Sequence, residues 1–164
     1  MSAGAPDAAA AAADAARLAE LARALADALD AALGPWVERS ILARLGAPAS
    51  PEVAQAAAAA AAEAQRVVGA RIRALLEQDI DEQRSTPLAL VRGAVRWPTA
   101  VLAAAGAAPA ARDEWAVRRF PDDVYGLTPA AFTDVDPALA EPGLLWGAAK
   151  AHVHLQRRRA EGRR

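Results

Sequence analysis

Apolar residues return every three to four positions along most of the chain, the spacing of amphipathic helices. Leu18, Leu21, Leu25, Leu29 and Leu33 share one side of a helical wheel, within about 120° of arc. Arg17, Glu20, Arg23, Asp27 and Asp30 take the other side. The leucine spacing is wider than a strict heptad, which favours packing inside a globular bundle over a long coiled coil. The pattern predicts a first helix from near Asp7 to Leu33, ended by Gly34-Pro35. A short second helix follows over 36–45, with Val37, Ile41, Leu42 and Leu45 on its inner side.

Ser50-Pro51-Glu52 reads as an N-cap, a proline at the first helical position and an acid in the first turn. It opens a long helix to about Asp79, with the stripe Val53, Ala57, Ala60, Ala64, Val68, Ile72 and Leu75. Thr86-Pro87 opens the next by the same logic. Leu88, Val91, Val95, Leu102 and Ala105, widened by Leu90, Trp97 and Val101, give it the apolar breadth of a central helix. Pro98 should kink it, and Gly106 should end it. A fifth helix is expected from Pro109 to Arg119, carrying Trp115. Residues 121–142 change character. Thr128-Pro129 and Asp136-Pro137 each predict a short helical turn. A last helix should run from Pro142 to Arg159, with Leu144, Ala148, Ala151 and Leu155 inward.

No stretch alternates β-branched and polar residues as a strand does. The expected fold is therefore all-α: an irregular bundle of five to six helices with a Pro/Asp-rich loop before the C-terminal helix. One domain over 1–164 is expected, with residues 1–6 and 160–164 frayed.

Composition sharpens this picture. Of 164 residues, 50 are Ala, so the core is modest in side-chain volume. Cys is absent, which excludes disulfides and thiolate metal sites. Eighteen of the 19 bases are Arg, which together with the alanine excess points to a high-GC coding bias. Net charge is −1, so no global field draws the chain to nucleic acid or membranes. No segment has the continuous apolar length of a membrane span, and the N-terminus lacks the pattern of a secretory signal. A cytoplasmic location is the expectation.

Charge is nevertheless uneven. Residues 142–164 hold six bases and one acid, against an excess of acids before them. Arg157, Arg158 and Arg159 form a basic run that either balances the C-terminal end of a helix dipole or meets phosphate. Arg92 and Arg96 stand four apart on the presumed central helix, where like charges repel unless an anion lies between them. Asp122 and Asp123, with Tyr125 nearby, supply one candidate. The five residues form either an internal ion cluster that pins the loop or an anion- or partner-binding site. Asp122 and Asp123 could supply half of a divalent-cation site, but no calcium-loop spacing accompanies them, and no metal is expected. His152 and His154 are two apart within a helical pattern and diverge by about 160° around its axis, which does not suit chelation. The four Trp fall in four different expected helices, where indoles anchor cores.

From Arg84 to Leu155 the chain resembles an uncharacterised family of small all-helical actinobacterial proteins. The resembling segments are Thr86-Pro87-Leu88, Trp97 to Leu102, Phe120 to Pro129, and Trp146-Gly147-Ala148-Ala149-Lys150. The resemblance implies a helical fold and carries no activity with it.

No phosphate loop, nucleophile elbow or His-Glu-x-x-His is present. The expectation is a non-enzymatic protein-interaction or assembly module without a cofactor, engaging a protein partner or itself. Its face would be the Arg92/Arg96 side with the 122–125 loop, or the basic terminal helix. Two alternatives stand beside it: nucleic-acid association through the basic C-terminal helix, and a small anionic-ligand binder or enzyme at Arg92/Arg96.

Overall fold

A computed structural model describes residues 5–46, 48–77, 87–140 and 158–162. Among them the chain is helical, with no strand. Helix α1 spans Ala5–Leu45 and α2 spans Pro51–Glu77. Helices α3 (Pro87–Gly93) and α4 (Arg96–Ala104) follow, then α5 (Glu114–Arg119). Two 3-10 turns follow, at Phe132–Asp134 and Pro137–Leu139, and residues 158–161 are again helical. No helix among the described residues is long and apolar enough to cross a membrane.

The foundation is an antiparallel α1–α2 hairpin, with Arg73 paired to Asp30 across it. Helix α1 contributes Leu25, Leu29, Leu33, Trp36, Val37 and Ile41. Helix α2 contributes Ala57, Ala61, Ala64, Val68, Ile72 and Leu75, close to the stripe that the spacing predicts. Larger residues of α1 thus meet smaller ones of α2. Side chains crowd both glycines of the seam: a Cβ at Gly34 would lie 2.6 Å from Gln65 Oε1, and one at Gly69 closer still to Asp30 Oδ1. Ser50 opens α2, its carbonyl accepting from Ala54 N at 2.9 Å. The N-terminal backbone N–H of Glu52 and the Ser50 hydroxyl hold the Glu52 carboxyl below its ordinary pKa. Arg66 does the same for Glu63.

Three boundaries differ from expectation. Gly34-Pro35 does not divide α1, which runs on to Leu45. Pro35 and Ala31, whose carbonyl loses its helical donor, lie on the exposed side, where water can replace the missing N–H. Leu33, Trp36 and Val37 meanwhile keep one buried face continuous across the proline. Second, the expected kinked central helix is two short helices seated on the hairpin. Pro98 has no N–H for the carbonyl of Ala94, so the break falls at 94–95, upstream of the proline itself. Ala94 N and Val95 N instead reach back three residues, to Val91 O and Arg92 O. Third, α5 begins at Glu114 and not at Pro109. Asp113 caps it, accepting from Ala116 N at 2.7 Å, while Ala110 N donates to Val124 O.

Only one of the two expected loop turns starts as predicted. Asp136 caps Pro137–Leu139, accepting from Ala138 N. Thr128-Pro129 opens no helix. The turn there begins at Phe132, and Asp134 folds back onto the N–H groups of Ala130 and Ala131. Two arginines of α1 tie this irregular region down: Arg39 donates to Val135 O at 3.1 Å and Arg44 to Ala108 O at 2.8 Å. Helicity reaches Ala5 at one end and residue 161 at the other, further out than the fraying expected from sequence. The greater part of the expected last helix, with His152, His154 and Trp146, lies outside the described residues, as do the side chains of Leu18 and Leu21.

Candidate functional site

The break at 94–95 shapes the site. Arg92 sits at the end of α3 and Arg96 at the start of α4, so the two no longer stand one helical turn apart on a single helix. Across from them the 107–113 segment delivers α5, and the 120–130 loop closes the space between.

The expected ion cluster does not form. The ion pairs among the described residues are Arg66–Glu63 at 2.5 Å, Arg73–Asp30, and Arg118–Glu114 at 3.6 Å. None joins Arg92 or Arg96 to Asp122 or Asp123. Asp123 is only 4% exposed, and its two oxygens accept from Leu127 N at 2.9 Å and Thr128 N at 2.6 Å. Backbone donors four and five residues away satisfy the carboxylate without ordering a long side chain. Asp122 is exposed at the rim. Tyr125 also leaves the candidate set: it is 7% exposed, packs in the core, and donates its hydroxyl to Ala107 O at 3.4 Å. Its part is structural.

The arginines lie instead against rings. Arg92 donates through Nε to Pro129 O at 3.4 Å, and its guanidinium carbon is 5.5 Å from the centroid of Phe120. Arg96 stacks on Trp97 at 3.9 Å. Arg119 lies 5.0 Å from Trp115 and 5.8 Å from Phe120. These are cation–π distances, each worth about 0.5–1 kcal/mol at an exposed site. They leave most N–H edges of Arg92 and Arg119 without a protein acceptor among the described residues. Arg112 differs, since its Nη2 donates to the carbonyls of Ala116 and Phe120 and so closes the end of α5.

Two adjoining clefts result. One, of about 510 Å³, is lined by Arg92, Arg112, Trp115, Arg119, Phe120 and Thr128, among others. The second, of about 400 Å³, shares Arg92, Arg119 and Phe120 and adds Arg96 and Asp122. Trp115 is 62% exposed, against the expectation of an indole in the core. Trp36 is buried and Trp97 half-buried, as that expectation required. The sequence reading therefore missed Trp115, Arg119 and Phe120. A signal was present in the four-residue spacing of Trp115 and Arg119, which puts an aromatic and a cation on one helical face.

Three further acids near this face hold backbone. Asp113 caps α5, Asp134 caps the first 3-10 turn and Asp136 the second. No group of three or more His, Cys, Asp or Glu among the described residues is placed to hold a metal ion. Arg158 and Arg159 are exposed within a helical segment at 158–161, and Arg157 lies outside the described residues.

No family model matches this chain, and neither a curated protein nor a solved structure matches it. What the site does has to be read from its own chemistry.

Proposed function

We propose that the protein is a non-enzymatic interaction module whose docking face is the ridge of Arg92, Arg96 and Arg119, and that its partner presents an anionic group there. One observation carries this reading. The three guanidinium groups rest on Trp97, Trp115 and Phe120 along open clefts, and none forms an ion pair with a carboxylate among the described residues. Arginines held by rings keep their planar donor edges for an external acceptor, and Arg and Trp are the residues in which binding energy concentrates. The acids nearby support binding over catalysis, because Asp113 and Asp123 are engaged in fixing the loops that frame the cleft.

Retention on a heparin column tests the reading with a generic polyanion. The wild-type chain should be retained at low ionic strength and released by salt. Arg92→Ala/Arg119→Ala should elute at distinctly lower salt. Co-elution of the two, or no retention of the wild type, overturns the proposal.

A further inference from the structure

The larger cleft has a composition that narrows the ligand. Trp115 exposes an indole to water beside Arg119, and Phe120 has a guanidinium at 5.5 Å and another at 5.8 Å. A single carboxylate is satisfied by one arginine fork. Two forks with unspent donors, a threonine and an exposed ring exceed what it needs. The volume, about 510 Å³, falls in the range of about 300–1,000 Å³ that small-molecule sites occupy. Aromatic faces beside cations are the means by which proteins hold bases next to phosphates.

We propose that this cleft takes a nucleotide, its base stacked on Trp115 and its phosphate received by Arg92 and Arg119. The inference rests on the anionic-partner reading above and names the ligand chemistry. Asp123 lines the same cleft, but both its oxygens already accept backbone N–H groups and it is buried. Asp113 spends one oxygen on the α5 cap. Neither carboxylate pairs with Arg92 or Arg119, so the phosphate has no bound competitor among the described residues. The same chemistry is offered by a free mononucleotide and by one unit of a single strand.

The test follows the indole N–H signals by NMR, with Trp115→Phe identifying the one that belongs to Trp115. AMP should shift that signal saturably. Adenosine and inorganic phosphate should each bind at least tenfold more weakly, since each offers half of the contact. Arg119→Glu should weaken AMP by about tenfold or more; being exposed, it spares the core, and Arg92→Lys provides a milder partner variant. Oligoadenylate binding much more tightly than AMP assigns the site to single strands, while equal affinity assigns it to free nucleotides. No movement of the Trp115 signal with AMP or oligoadenylate up to about 10 mM overturns the inference. So does binding that ignores Arg119→Glu. If arginine-dependent heparin retention survives that outcome, the anionic-partner reading stands and only the nucleotide is lost. If retention fails as well, both are lost.

Discussion

Asp123 shows how a charge argument can overlook a residue's nearest partners. Beside Asp122, and with Arg92 and Arg96 needing counter-charge, it suggested an ion pair. Its actual partners are the amides of Leu127 and Thr128, too near in sequence for a charge-pairing argument to notice. Aspartate commonly bonds to backbone a few residues on, and such a local bond orders less chain than a distant arginine would. Asp123→Ala should therefore destabilise the fold by about 2–4 kcal/mol, through two orphaned amides in a buried loop. Asp123→Asn, which keeps one acceptor oxygen, should cost roughly half as much. Urea denaturation followed by circular dichroism measures both, and an unchanged midpoint for the alanine variant contradicts the loop-staple role. Trp115 is the opposite case. Large and apolar, it was placed in the core by residue type alone, yet α5 is too short to bury it.

At the level of helices, most of the architecture could be read from spacing. The buried faces of α1 and α2 match the leucine and alanine stripes because a 3.6-residue period is a geometric fact about any helix that packs. What could not be read was how prolines act. At Pro35 a proline and glycine together suggested a boundary, but burial on both sides outweighed one lost hydrogen bond. At Pro98 the disruption fell four residues upstream, where the missing donor would have bonded. Pro35→Ala restores a donor to an exposed carbonyl inside an intact helix. It should raise stability by about 1–2 kcal/mol, after allowing for the freer unfolded chain. A lowered urea midpoint would show instead that α1 needs its proline to follow the surface of α2.

Over the whole molecule, near-neutral net charge concealed a local segregation. Acids cap helices and staple loops, while arginines collect around Trp115, Phe120 and Trp97. Composition arithmetic averages that arrangement away, so the proposed face was only partly visible before folding: Arg92 and Arg96 stood out, Arg119 and its rings did not. Acid should reveal the structural half of the segregation. The folded pKa values of Glu52 and Glu63 lie below the ordinary 4.5. The unfolded chain therefore takes up these protons first, and the stability they contribute above that pH is lost as pH falls. The urea midpoint should drop as pH falls below about 5 through the carboxylate range, and Glu52→Gln/Glu63→Gln should drop less steeply. Parallel curves for the two proteins would mean that neither carboxylate is better held in the folded state.

The seam between α1 and α2 has a thermal consequence. Ala32 lines it from α1, and Ala57, Ala61 and Ala64 line it from α2, facing the leucines of α1. Methyl groups shed few water contacts on association, so unfolding re-wets less hydrocarbon than a seam with leucines on both helices would, and the heat-capacity increment is smaller by that amount. A smaller increment flattens the stability curve: warming or chilling by tens of degrees changes the balance less than it would in a leucine-filled bundle, and cold is a weaker threat than it is there.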